Sequence, residues 1–220
     1  MSISQTAPSA TALAAVGFLL VSTTSWAEPV DTSVIEAPWP KQRVHDTEVG
    51  RHAVRWRERA SKQDGIFAGV TFSAPLDQHA VWDLSNEYQD VGKITPGVTA
   101  VRYLERSETH ERIAVDMKIL WNSVTLVFDV DKDPPNAVRF RLVNEAFGEY
   151  RGICKYAPQA GASNGHPATA VELATWFQPS RPVPMRMLLF VERVTLMQGA
   201  RKFLDACDER RAADQRAPAR

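Results

Sequence analysis

Apolar and polar residues alternate along much of the chain between residues 98 and 178. Ile113, Val115 and Met117 alternate with polar or small residues, and Val138 and Phe140 alternate with arginines. Because successive side chains of a strand point to opposite faces, this period of two predicts strands with one apolar face. The predicted strands are residues 98–106, 112–121, 123–130, 137–144, 149–156 and 169–178.

Turn-forming residues separate these segments. The stretch 131–136 contains a Pro-Pro pair, and Asn164-Gly165 lies in a longer loop. Short strands joined by such turns predict an antiparallel meander, whose apolar face another element must cover. An earlier hairpin is predicted around Asp64-Gly65, between residues 53–61 and 66–73, although the spacing in 53–61 is also compatible with a charged helix.

Two segments have helical spacing. Residues 75–88 predict a short helix, and residues 185–207 form a long segment without proline that follows Pro179, Pro182 and Pro184. At about 1.5 Å per residue the second helix is about 35 Å long. Its apolar stripe contains Leu189, Leu196 and Phe203 at seven-residue spacing, widened by Leu188, Val191 and Met197. The sequence therefore predicts an α+β fold in which a long C-terminal helix covers an antiparallel sheet.

The first 27 residues contain no Asp, Glu, Lys or Arg, and an apolar run extends from Ala12 to Val21. Ser25 and Ala27 fit a signal-peptidase site with cleavage before Glu28. The run is shorter than the roughly 20 residues that span a membrane, which disfavours a retained anchor. We expect a signal peptide (1–27), an extended lead-in (28–52), one domain (53–209) and a disordered tail (210–220), in a protein exported to the periplasm or secreted.

Charge and cysteine content limit the partners that the chain can have. Its 26 basic and 26 acidic residues give no net charge, so a nucleic-acid partner is not expected. Cys154 and Cys207 are compatible with either a disulfide or two buried thiols. No Cys-x-x-Cys or His-x-x-x-His spacing is present. We expect no metal, no cofactor and a monomeric protein.

Several short motifs occur in the order found in one superfamily. They are Ala74-Pro75, Val81-Trp82-Asp83, Tyr88, Pro96-Gly97-Val98, Phe147, Gly152, the proline-rich segment 179–184 and the long last helix. Over about residues 66–209 the chain resembles the START-like (SRPBCC) superfamily, particularly its polyketide cyclase and coenzyme Q-binding branch. It departs from the common pattern at Glu87, where Asp precedes the tyrosine in relatives, and at Cys154, where relatives often have an aromatic residue.

The resemblance implies a helix-grip fold, in which a curved antiparallel sheet wraps around the C-terminal helix and encloses a cavity for lipids, quinones or polyketides. The residues then expected to line the cavity are Tyr103, Met117, Trp121, Phe128, Phe140, Tyr150, Phe177, Leu189 and Leu196. The alternative is a closed core without a cavity. Glu192 is compatible with an internal carboxyl of raised pKa or with a surface ion pair.

The leading functional hypothesis is a non-catalytic carrier of an apolar small molecule, such as a lipid, isoprenoid or quinone. One alternative is a cyclase or dehydratase in which Tyr103 or Tyr150 hydrogen-bonds to a carbonyl, and another is a protein-interaction module. No His lies in a spacing typical of a nucleophile and base, and no Gly-x-Ser-x-Gly is present, so no catalytic residue is predicted. Arg55, Arg57 and Arg59 predict either a transient membrane-surface contact or a solvated strand face.

Overall fold

A computed structural model describes residues 28–86, 97–119, 122–144, 147–159 and 167–216 of the protein. The strands are β1 (Arg43–Val49), β2 (His52–Ser61), β3 (Gly65–Ala74), β4 (Val98–Arg106), β5 (His110–Ile119), β6 (Asn122–Asp133), β7 (Ala137–Leu142), β8 (Gly148–Pro158) and β9 (Thr169–Pro179). The helices are α1 (Ser33–Glu36), α2 (Gln78–Asn86) and α3 (Met185–Arg216). The predicted signal peptide, residues 1–27, lies outside the described residues.

The nine strands of the described residues form one antiparallel sheet in the order β1-β2-β3-β9-β8-β7-β6-β5-β4. The predicted meander and hairpin are both confirmed, and residues 53–61 form a strand rather than a charged helix. At the β2–β3 turn Gly65 has φ +83°, and a Cβ there would lie 2.6 Å from the Phe177 carbonyl oxygen. The turn therefore requires glycine at this position.

Helix α3 covers the inner face of the sheet, as the sequence predicts, and its backbone packs most closely on β3 and β2. The core between them contains Trp56, Val70 and Leu204, which are at most 2% exposed. The rings of Phe72 and Phe203 pack with their centroids 6.0 Å apart. A curved sheet holding a long C-terminal helix is the helix-grip architecture, which confirms the predicted fold class.

The C-terminal helix differs from its prediction in two respects. It continues to Arg216, into the segment 210–220 that was expected to be a disordered tail, because Ala and Arg favour helix and Asp208 pairs with Arg51 at 2.7 Å. Val191, expected in the buried stripe, is 48% exposed. Val191 lies two residues after Leu189, about 200° around a helix of 3.6 residues per turn, so it points away from the stripe that contains Leu196 and Phe203.

The segment expected to be an extended lead-in, residues 28–52, contains α1 and β1, so the sheet begins at Arg43. Before β1 the chain crosses the outer face of the sheet. The Val30 amide donates a hydrogen bond of 2.6 Å to Asp131 on β6, and Ile35 packs on Ile153 of β8. Trp39 contacts Phe67 on β3, with ring centroids 5.1 Å apart. The lead-in thus covers apolar side chains on the face opposite α3.

Both cysteines are free thiols, so the disulfide that the sequence left open is not formed. Cys154 lies on β8, and Cys207 lies on α3 in the closed core. Burial raises the pKa of each thiol to about 12. Both side chains therefore stay protonated and unreactive at neutral pH.

Candidate ligand-binding site

Aromatic side chains from four neighbouring strands meet on the inner face of the sheet. Phe128 on β6, Phe140 on β7, Tyr150 on β8 and Phe177 on β9 form this aromatic cluster. The ring centroid of Tyr150 lies 6.4 Å from that of Phe128, 6.1 Å from Phe140 and 6.0 Å from Phe177. All four were predicted to line a cavity, and alternation along the strands places them on the same face.

Gly152 explains how the Phe140 ring reaches the cluster. Gly152 is the register partner of Phe140, and the Phe140 ring lies in the space that a side chain at Gly152 would occupy. Any larger residue on β8 at this position would collide with that ring. The glycine recognised in the sequence motif therefore lets one aromatic side chain lie flat across the neighbouring strand.

The aromatic cluster is surrounded by protein but is not closed. Burial raises the pKa of Tyr150 well above its ordinary value. Yet Phe128, Phe140, Tyr150 and Phe177 all remain partly exposed, as does Leu189 on the facing side of α3. Inward side chains that are desolvated and still accessible are typical of a concave surface. We call the concave surface formed by the aromatic cluster and the N-terminal part of α3 the inner hollow.

A polar cluster interrupts this apolar lining. Glu192, on the same face of α3 as Leu189, places Oε2 3.4 Å from Oγ1 of Thr175 on β9. Burial raises the pKa of Glu192 to about 7, although the hydrogen bond from Thr175 opposes the rise. The raised pKa of Tyr150 follows mainly from burial and then from the charge of Glu192, and its interaction with Thr175 opposes both. Glu192 is therefore the internal carboxyl that the sequence left open.

A second inward carboxylate, Glu58 on β2, is fully paired. The Trp56 indole and the Arg193 guanidinium donate hydrogen bonds of 2.9 and 2.8 Å to its Oε2. Burial by itself raises the pKa of Glu58, but these two donors outweigh burial and lower it. Arg193, the residue that follows Glu192, therefore pairs with Glu58.

The remaining predicted site residues are not among the four rings of the aromatic cluster, although Tyr103 lies on the same face two strands from Phe128, because both are register partners of Ile113. Leu196 is 7% exposed and belongs to the closed core. Tyr103 lies on edge strand β4 in register with Ile113, and the Arg106 guanidinium lies 4.5 Å from its ring centroid. Met117 lies on β5 four residues, or about 13 Å, from Ile113, which is the register partner of Phe128. Trp121 lies outside the described residues.

Thr175 was missed by sequence reasoning. Strand alternation places it on the same face as Leu173 and Phe177, so the signal was present. A threonine between apolar residues was not interpreted as a site residue because nothing in the sequence paired it with Glu192. Only the packing of α3 on β9 reveals that contact.

The arginines of β2 lie on the outer face, where each one pairs with a carboxylate. Arg55 contacts Asp46 at 2.7 Å, Arg57 contacts Glu172, and Arg59 contacts Asp64 at 2.7 Å. This pairing is typical of a solvated strand face. Contact with a membrane surface stays a prediction.

Two surface clefts lie away from the inner hollow. One, of about 430 Å³, is lined by Arg51, His52 and Asp208 beside the last turns of α3. The other, of about 460 Å³, lies on the outer face beside Trp39. Their lining groups include ion pairs, such as the 2.9 Å contact between His52 and Asp208, and tilted aromatic rings, such as Trp39 and Phe67. Neither cleft adjoins the aromatic cluster.

Within the described ranges, no group of His, Cys, Asp and Glu side chains is arranged to hold a metal ion. None of the helices in that part of the chain combines the length and apolarity needed to cross a membrane.

Comparison with solved structures identifies similar folds. A STAR-related lipid transfer protein from Xanthomonas axonopodis matches with a TM-score of 0.58 and 13% identity, over 74% of this chain and 98% of that one. A START superfamily protein from Mycobacterium smegmatis matches with a TM-score of 0.57 and 14% identity, over 65% and 97%. The Zhui aromatase/cyclase from Streptomyces sp. R1128 matches with a TM-score of 0.56 and 15% identity, over 66% and 94%. At these identities the likeness concerns the fold.

A search of curated proteins finds no match to the sequence. The profile of a family described as polyketide cyclase/dehydrase and lipid transport matches residues 73–204. That range contains the aromatic cluster, the polar cluster and most of α3. The protein therefore belongs to the polyketide cyclase/dehydrase and lipid transport family, within the START-like superfamily.

Proposed function

We propose that the protein binds and carries an apolar small molecule, such as a lipid, isoprenoid or quinone, in the inner hollow. The observation that carries the proposal is the set of aromatic side chains that face inward and remain partly exposed. Leaving apolar surface in contact with water costs about 25 cal/mol per Å². An apolar ligand removes that cost, and a few polar groups then orient it.

The first experiment identifies the ligand. The mature protein is purified from its host without detergent, and native mass spectrometry is followed by organic extraction. We expect a copurified apolar compound in a stoichiometric complex. A protein that is ligand-free and also fails to take up uncharged fluorescent lipids and quinones would contradict the proposal.

A matched pair of variants locates the binding site. Leu189→Trp places a larger side chain into the inner hollow, whereas Phe190→Trp changes the next residue, which is 66% exposed. We expect Leu189→Trp to weaken uptake about tenfold or more and Phe190→Trp to leave it unchanged, because overfilling an occupied space costs about 1–3 kcal/mol. Equal uptake by both variants would place the ligand elsewhere.

A second function is favoured by the polar cluster. A carboxyl whose pKa is about 7 and a nearby phenol are groups that can donate a proton or a hydrogen bond to a carbonyl, as a cyclase or dehydratase requires. The test incubates a poly-β-ketone analogue with the wild type, Tyr150→Phe and Glu192→Gln, and monitors dehydration by absorbance. Turnover that these substitutions abolish while binding persists would favour an enzyme over a carrier.

Export is part of the proposal and rests on the uncharged first 27 residues and the small residues before Glu28. Intact-mass measurement of the protein from the host periplasm and medium tests it. We expect a mass that corresponds to a chain beginning at Glu28. Full-length protein found in the cytoplasm would contradict export without affecting the ligand-binding proposal.

A further inference from the structure

The polar cluster occupies one location in the lining of the inner hollow. Glu192 comes from α3, Thr175 from β9 and Tyr150 from β8, so three separate elements converge there. Next to it lie the rings of Phe140 and Phe177. A molecule in the hollow would therefore meet apolar walls and a small polar group.

The hydrogen-bonding capacity of Glu192 is largely unused. The Thr175 hydroxyl lies 3.4 Å from Glu192 Oε2 and equally 3.4 Å from the Ala68 carbonyl oxygen. A hydroxyl has one proton and cannot donate to both acceptors at once, while a carboxylate offers about four acceptor sites. No cation of the described chain pairs with Glu192, and the side chain remains partly exposed.

Glu58 is an inward carboxylate of the same protein whose hydrogen-bonding capacity is used, and it can be compared with Glu192. It is 4% exposed and accepts two hydrogen bonds, one from an indole and one from a guanidinium. Glu192 has a single long contact instead, although it lies one residue from Arg193. A buried carboxyl with open acceptor positions that face a hollow is suited to bind a ligand rather than to support the fold.

We propose that the polar cluster binds the polar end of an amphiphile whose terminal group donates a hydrogen bond, a hydroxyl or an amine, and that it discriminates against a terminal carboxylate. This inference rests on the proposed carrier function and specifies its ligand. Glu192 accepts the ligand proton, Thr175 contacts the same carboxyl, and Tyr150 is near enough for the charge of Glu192 to raise its pKa. A ligand carboxylate would bring a second negative charge to Glu192 in a poorly solvated space, where like charges repel more strongly than in water.

The test uses competition between ligands of equal chain length. Diphenylhexatriene, an uncharged hydrocarbon dye, is first bound to the wild-type protein at about pH 8, where an exposed amine is charged and a carboxylic acid is ionised. Decan-1-ol, decylamine and decanoate then compete for the dye site. The same series is repeated with Glu192→Gln, Tyr150→Phe and the control Glu209→Gln, an exposed glutamate on the same helix. Circular dichroism verifies that each variant is folded.

We expect the alcohol and the amine to compete at concentrations about tenfold or more below that of decanoate. In Glu192→Gln the difference should shrink to about threefold or less because the charge is gone, and Tyr150→Phe should weaken alcohol binding several-fold. Glu209→Gln should retain the wild-type order. If the dye binds but the three competitors rank in the same way in Glu192→Gln as in the wild type, this inference is overturned and the carrier function is not. Absence of dye binding would overturn both.

Discussion

The two halves of α3 differ in how they meet the sheet. In the C-terminal half Phe203, Leu204 and Cys207 are 8%, 0% and 0% exposed. In the N-terminal half the inward residues Leu189 and Glu192 remain partly exposed, and the outward Phe190 is 66% exposed. One helix therefore closes a core at one end and borders a hollow at the other.

The difference originates in the sheet. The C-terminal half meets large side chains, including Phe72, whose ring packs on that of Phe203. In the N-terminal half Glu192 meets Thr175, whose register partners on the two neighbouring strands are Ala68 and Gly152. Ala68 and Thr175 are small, whereas the Phe140 ring fills the space beside Gly152. The two halves of the helix therefore meet side chains of different size and polarity.

The largest expected effect comes from the closed half. Leu204→Ala removes a side chain that is 0% exposed and leaves a cavity in the core. We expect the free energy of unfolding to fall by about 2–5 kcal/mol in urea denaturation. Leu189→Ala, in the open half, should cost about 1 kcal/mol or less. Equal losses would mean that the two halves are packed alike.

Glu192 makes the open half sensitive to pH. Because burial raises its pKa from 4.5 to about 7, the folded protein holds this proton more tightly than the unfolded chain does. Protonation of Glu192 therefore contributes fully to the free energy of unfolding below about pH 4.5, and this contribution is lost as the pH rises towards 7.

We expect Glu192→Gln to become more stable relative to the wild type by about 2–3 kcal/mol across that interval. Urea denaturation of both proteins at a series of pH values measures the difference, in which the other titrating groups cancel. A difference that does not change with pH would show that Glu192 is solvated.

Gly152→Ala tests the contact between Gly152 and the Phe140 ring. The new methyl group would occupy the space of the Phe140 ring, which must move into the inner hollow. We expect a loss of about 1–3 kcal/mol in unfolding free energy, together with weaker ligand uptake. Unchanged stability would indicate that the ring moves freely.

The smallest effect is expected on the outer side of the open half. Phe190→Ser replaces a side chain that is 66% exposed. We expect thermal unfolding to report a change within about 0.5 kcal/mol, as for most surface substitutions. A larger loss would show that Phe190 packs against another part of the protein.

Much of the fold could be predicted from the sequence because its signals are local. Alternation of apolar residues identified each strand from β4 to β9, and Asp64-Gly65 identified the β2–β3 hairpin. Four predicted cavity residues form the aromatic cluster, since alternation also fixes the face on which they lie. Strand β1 was missed because its residues are mostly exposed and show no apolar period.

The polar part of the site could not be predicted in the same way. Glu192 and Arg193 are neighbours, and the sequence does not indicate which of them will pair with Glu58 on β2. That choice depends on where α3 crosses the sheet, which is a non-local property. Likewise, helical spacing placed Leu189 and Leu196 in one stripe, although Leu189 remains partly exposed and Leu196 is buried.

The hydrogen bond between Val30 and Asp131 has a practical consequence for handling the protein. Both residues lie on the outer face of the sheet, and Arg151 reinforces the attachment by contacting Asp31 at 3.0 Å. An affinity tag, a fluorophore or a surface-coupling handle joined just before Glu28 therefore emerges on the side opposite the inner hollow. Immobilisation through this end leaves α3 and the polar cluster free, so surface-based binding assays can use it directly.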